Sequence, residues 1–210
     1  MKGLILKDLH MTFKYMKSLI LIIASFLAVS VWGSDNNVFR FYPCIIASAM
    51  PVTLLTYDDH FKWSLYSRTL PFTIKQLVSV KYIIGMIFSI SVYILSICAT
   101  ICYMVFNNKF NANELAINAS ALLIIMLIVP TFVFPLSFRF GAEKGRILFV
   151  VIAIALLAAV MISIPVSSIF GDSAIRPTFN VSFIIADVIS IAIYIASWCI
   201  SVKLYKKREL

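Results

Sequence analysis

Two rows of hydroxyl groups and one carboxylate are the side chains in this 210-residue chain best spaced to act together within apolar surroundings. Ser89, Tyr93, Ser96, Thr100 and Tyr103 are separated by steps of four, three, four and three. Asp187, Ser190, Tyr194, Ser197 and Ser201 are separated by three, four, three and four. Such steps keep each row on one face of a helix. Two readings fit them. The rows line a path through which a polar solute moves, or they let helices pack closely through small side chains and interhelical hydrogen bonds. Asp187 stands apart, because an acid at membrane depth costs roughly 2.5–3.5 kcal/mol on the insertion scale. It needs water, a partner or a proton, so it either meets the cationic part of a solute or ties to a hydroxyl.

A second group of residues has the chemistry of a docking segment. Asp58 and Asp59 are followed by Trp63, Tyr66 and Leu70 at steps of three and four, with Lys62 and Arg68 off that line and Pro71 after it. The acids suit a helix N-terminus, where the macrodipole favours negative charge, and the proline suits its end. The spacing predicts a short amphipathic helix over 58–71. Its aromatic stripe either enters a groove on a partner or rests on the lipid surface with Trp63 as anchor.

Signs of catalysis are missing. No GxxxxGK[ST] phosphate loop, HExxH pair or paired glutamates occur, so a nucleotide or zinc reaction has no recognisable seat here. Gly141 and Gly145 with Lys144 have the wrong spacing for a phosphate loop. They also lie among charges, which is unlike a membrane helix-pairing motif. Cys44, Cys98, Cys102 and Cys199 sit in apolar runs without a CxxC pair and read as buried structural thiols.

The elements that hold these residues follow from composition. The chain is 62% hydrophobic and 13% charged, with mean hydropathy +1.00. A water-soluble domain of this length would need far more polar surface. In lipid, helices satisfy their own backbone and apolar side chains face outward. The net charge of +9 is spread between hydrophobic runs, unlike the clustered basic face of a nucleic-acid binder, so the lipid bilayer is the expected partner and no nucleic acid is. We read an all-α polytopic membrane protein with about six spans, at roughly 20 residues each. The spans fall at 17–32, 41–56, 80–106, 115–138, 147–170 and 179–205, with a kink expected at Pro51.

Residues 1–15 are too charged to span. Leu6, Leu9, Phe13 and Met16 recur at helical steps, with Lys2, Lys7, Asp8, Lys14 and Lys17 off that row. This predicts an interfacial amphipathic helix. An acid and four lysines ahead of the first apolar run differ from the short basic start of a secretion signal. Counted by alternating sides, the 18 Lys and Arg divide 15 against 3, the minority being Arg40, Lys109 and Arg176. The excess marks the cytoplasmic side, so both termini and the segments 57–76 and 139–146 are expected there. Asn118 and Asn180 begin glycosylation-type triplets beside spans, matches too short to carry weight.

Asp58-Asp59, Trp63 and Leu70-Pro71, followed by Lys75 and Lys81-Tyr82, resemble the acidic–Trp–Leu-Pro loop of ABC exporter permeases of the type 2 family. Phe140-Gly141-Ala142-Glu143-Lys144-Gly145-Arg146 is similar to the Phe-Gly-x-Glu-Lys-x-Arg loop of its small six-span bacterial subgroup, which includes the phenol-soluble modulin exporters. His60-Phe61 departs from the small or polar residues usual there. The resemblance implies that 58–71 is a coupling helix seated on a cytoplasmic ABC ATPase, through Asp58, Asp59, Trp63, Tyr66, Arg68, Leu70 and Pro71. It implies the same interface for Phe140, Gly141, Glu143, Lys144 and Arg146. ATP and Mg would then bind two copies of that separate ATPase, with no cofactor in this chain. A second permease copy, identical or paralogous, would complete a path across the bacterial plasma membrane for amphipathic or antimicrobial-type peptides, lipids or drugs. The alternative is a membrane immunity or sensor scaffold that holds a cytoplasmic partner without transport.

Overall fold

The computed structural model describes residues 2–15, 17–32, 38–48, 50–63, 66, 73–108, 110–169 and 181–208. Eight helices make up nearly all of this: α1 (Lys2–Tyr15), α2 (Lys17–Trp32), α3 (Val38–Ala47), α4 (Met50–His60), α5 (Ile74–Phe106), α6 (Ala112–Phe140), α7 (Ala142–Ile169) and α8 (Val181–Arg208). Among the described residues, Ile74–Phe106, Ala112–Phe140 and Val181–Lys206 are long and apolar enough to cross a bilayer. A fourth results if Gly3–Thr12 and Lys17–Trp32, bent by 64°, count as one broken span.

The helices begin and end where local chemistry permits. α5 starts at Ile74, well before the expected residue 80, because Thr73 and Gln76 form a reciprocal capping box. The Thr-x-x-Gln signature was there to be read in the sequence. The segment expected as one kinked span is two helices, α3 and α4, with a turn at Ser48 between them. Asp58 and Asp59 do not open a helix. They lie in the last turn of α4, whose chain then turns at Lys62 with φ of 51°. Segment 139–146 is not a loop either. α6 runs to Phe140, α7 starts at Ala142, and the corner is Gly141 alone.

Glycine is required twice at that corner. Gly141 has φ 95° and ψ 165°, a region in which side chains are hardly tolerated. A Cβ on Gly145 would lie 1.9 Å from Ser137 Oγ and 2.9 Å from Ser137 Cβ, so only a bare backbone lets the first turn of α7 press against α6.

The core places α6 at the centre. Val78 and Tyr82 of α5, Met126, Leu127, Phe134 and Phe138 of α6, and Tyr194 of α8 form one buried cluster. The Tyr82 ring stacks on Phe134 at 4.1 Å, and Phe138 meets Tyr205 edge-on at 5.5 Å. A second cluster joins Leu4 of α1, Met50 and Leu54 of α4, and Val80 and Ile84 of α5. These pairings bring the ends of α4, α6 and α8 together with α1 and the start of α5. We call this the basic end. At the opposite end the Arg40 guanidinium lies over the Tyr103 ring at 4.2 Å.

Outward surfaces are strongly apolar. On α8, Ile184, Ile185, Val188, Ile189 and Ile195 are exposed, as are Ile87, Ile94 and Leu95 on α5. Patches of this extent have no place in water. Cys98, Cys102 and Cys199 are also on the outside, contrary to the expectation of buried thiols, and only Cys44 is buried.

Candidate functional site

At the basic end four charges close a ring that sequence reasoning missed. Lys7 Nζ lies 3.1 Å from Asp8 Oδ1 and 2.9 Å from Asp58 Oδ1. Lys81 Nζ lies 2.7 Å from Asp8 Oδ2 and 2.5 Å from Asp58 Oδ2. Signs alternate around the ring, so every neighbour attracts and only the diagonals repel. The Asp8, Lys81 and Asp58 side chains are 2%, 7% and 9% exposed, whereas Lys7 at 26% reaches the surface. Lys7 alone donates with hydrogen-bond geometry, to Asp58. Lys81 sits between two carboxylates as an ion.

The four members arrive by three elements. Lys7 and Asp8 come from α1, Asp58 from the last turn of α4, and Lys81 from the first turns of α5. Lys7 and Asp8 lie off the Leu6–Leu9 row, and it is their side of α1, not the leucine row, that meets the bundle. Asp8 is buried beside Leu4 and Thr12, while Leu6 and Leu9 point away from the bundle. Periodicity finds the two faces of such a helix but does not say which one meets protein.

The ring also holds the aromatic segment. Lys7 Nζ lies 3.5 Å from the centroid of the Trp63 ring, a cation–π contact. Trp63 is half-buried and packs near Leu4, Met50 and Leu54. Tyr66 tilts against Trp63 at 5.4 Å and is largely exposed. Asp59 is exposed at the end of α4. Arg68, Leu70 and Pro71 lie outside the described residues.

The α6–α7 corner emerges at the same end, directly after Phe138. Phe140 is exposed there, with the Arg139 guanidinium 4.9 Å and the Lys144 ammonium 5.3 Å from its ring centroid. Glu143, Lys144 and Arg146 are all exposed. The corner therefore presents an aromatic ring flanked by cations, beside one acid.

The two hydroxyl rows turn inward. Tyr82 Oη is 2.9 Å from Ser197 Oγ and 2.7 Å from Ser201 Oγ. Ser197 donates to the Thr131 carbonyl at 2.7 Å, Tyr194 to the Tyr82 carbonyl at 3.2 Å, and Tyr93 to the Ala119 carbonyl at 3.3 Å. Ser89, Ser96, Thr100, Tyr103 and Ser190 are buried, and the Ser96 hydroxyl accepts from the Cys44 thiol at 3.6 Å. Tyr93, Ser96, Tyr194, Ser197 and Ser201 are thus joints between helices, while Thr100 and Ser190 donate to carbonyls of their own helix. Asp187 is half-buried, and its Oδ1 has no hydrogen-bond partner among the described residues.

Long apolar helices with apolar outward faces and charges gathered at helix ends define a polytopic helical membrane protein. Residues 3–206 match the sequence pattern of the ABC-2 family transporter proteins, and the chain belongs to that family. No curated protein and no solved structure matches the chain.

Proposed function

We propose that this chain is the permease subunit of an ATP-driven exporter, with six spans and the basic end in the cytoplasm. The six spans would be α2, the broken pair α3–α4, and α5 to α8. Membership of the ABC-2 transporter family carries this reading, and the two segments singled out in the sequence support it by emerging at one end of the bundle. A separate ATPase, in two copies, seats against the turn after α4 and against the α6–α7 corner. Its closure on ATP moves Trp63. That motion reaches α1, α4 and α5 together, because Lys7, Asp58 and Lys81 are locked in one ring. Packed helices shift as rigid bodies under such a load. A second copy, identical or paralogous, completes the path, and the subgroup resemblance points to amphipathic peptides as cargo.

The path in this reading lies between subunits, since the hydroxyl rows are engaged within one. Asp187, whose carboxylate oxygen lacks a bonded partner among the described residues, is the polar group on these rows left to meet a solute. Co-purification with a separate ATP-hydrolysing chain, and a rise in its turnover on reconstitution, is the expected result. A stable complex with a partner that hydrolyses nothing would replace the exporter by a scaffold.

A further inference from the structure

The seam between α5 and α8 leaves a furrow of about 330 Å³ on the outside of the bundle. Ser79, Tyr82, Ile83 and Met86, on one flank of α5, form one wall, and Tyr194, Ile195 and Trp198 of α8 form the other. Tyr82 and Tyr194 are buried and make the floor, while Ile83 and Ile195 stand 41% and 57% exposed at the lips. Beyond the lips lie Ile87 on α5 and Ile191 on α8, both exposed. The furrow is therefore continuous with the apolar surface that the bilayer covers.

Its chemistry excludes a polar occupant. Trp198 Nε1 donates to Ser79 Oγ at 3.1 Å, and that hydroxyl donates to the Lys75 carbonyl at 2.6 Å. Tyr82 Oη is shared with Ser197 and Ser201, and Tyr194 Oη donates to the Tyr82 carbonyl. Every polar side-chain atom in the lining is thus bonded within the protein. A headgroup or a peptide backbone would give up water here and receive no hydrogen bond in return. The dimensions exclude a helix. Over the roughly 10 Å from Ser79 to Met86 at the helical rise, the volume gives a cross-section of about 30 Å². A helix 10 Å across presents roughly 80 Å². The bonds pair Ser79 with Trp198 and Tyr82 with Tyr194, so the helices run antiparallel and the furrow follows their axes, the direction in which acyl chains lie.

We propose that this furrow holds one acyl chain of a phospholipid from the leaflet at the basic end. Ser79 lies in the second turn of α5 and Met86 in the fourth, within the half of the helix nearer that end. A seated chain covers the hydrogen bonds that join α5 to α8. The proposal rests on the membrane setting alone and uses neither export nor an ATPase, so it stands or falls separately from the reading above.

The test uses the full chain with Trp198 as its single tryptophan (Trp32→Phe, Trp63→Phe), reconstituted in phosphatidylcholine vesicles. An increasing fraction of the lipid is replaced by the same lipid brominated in its acyl chains, which quenches an indole on contact. One resident chain makes Trp198 fluorescence fall linearly with the brominated fraction, because a single slot holds a quencher or does not. A surface touched by several exchanging lipids gives a curved fall, in a higher power of the unbrominated fraction. The linear form is the expected result. Ile195→Phe and Ile83→Phe, which fill the furrow from its lips, should remove most of the quenching. Ile191→Phe and Ile87→Phe, which add the same bulk beyond it, should leave the quenching intact, and so should Ile195→Ala, which widens the furrow. A curved fall in the parent, full quenching with the furrow filled, or an equal loss in Ile195→Ala would overturn the proposal. So would an unquenched parent, because another protein chain would then cover the seam.

Discussion

Removing Lys81 should be among the most damaging single changes at the basic end. Its ammonium lies between two carboxylates that are 2% and 9% exposed, at 2.7 and 2.5 Å. Lys81→Met has similar length and leaves Asp8 and Asp58 facing one cation, Lys7, from their buried positions. Deleting one partner of a buried ion pair costs about 3–5 kcal/mol, mostly because the abandoned charge stays desolvated. Lys7→Met should cost less, about 1 kcal/mol, since its side chain is 26% exposed and water can take over. The decisive variant is the double, Lys81→Met with Asp8→Asn. It removes one charge of each sign and keeps the Lys7–Asp58 hydrogen bond, so it should recover about 1–3 kcal/mol of the loss. Equilibrium unfolding in mixed micelles with increasing dodecyl sulfate, followed by far-UV circular dichroism, measures the parent, Lys7→Met, Lys81→Met, Asp8→Asn and the double variant. Added salt should barely alter the ranking, because buried pairs are weakly screened. A Lys81→Met chain within 1 kcal/mol of the parent, or a double variant whose loss is the plain sum of the singles, would refute the ring as a coupled unit.

The remaining expectations concern the corner, the hydroxyl joints and Asp187. Gly145→Ala should destabilise by about 1–3 kcal/mol through overpacking, and adding Ser137→Gly should restore most of that, because the clash is with the Ser137 side chain. Tyr82→Phe should cost about 1 kcal/mol, in the range of interhelical hydrogen bonds in membranes, by stranding Ser201; no change in unfolding would remove it as a joint. Asp187→Asn should lower transport in vesicles while membrane expression is kept, and unchanged transport would end its role toward the solute. Phe140→Ala and Arg146→Glu, both at exposed positions, should abolish stimulation of the ATPase with unfolding unaltered. Stimulation that survives both would take the corner out of the interface.

Much of the molecule was legible before its structure. The apolar runs announced helices and their lipid setting, because hydropathy over some 20 residues is a local property. The hydroxyl rows were visible as faces, and the family resemblance could be read from the two charged segments. Local signals were also passed over. The Thr73–Gln76 capping box marked the start of α5, and Gly141 marked a helix end rather than a loop.

What only the tertiary structure decided is which faces meet. Lys7 and Asp58 are 51 positions apart, and no periodicity within either segment points to the other. A step of three or four residues states that side chains share a flank, yet it is silent on whether lipid, water or protein covers it. The same spacing therefore served for Leu6 and Leu9 facing outward and for Ser197 and Ser201 bonded inside. Charges on short helices read as solvated until packing supplies their opposites. The ring exists because three elements far apart in the chain converge, and desolvation then makes each of its members depend on the others.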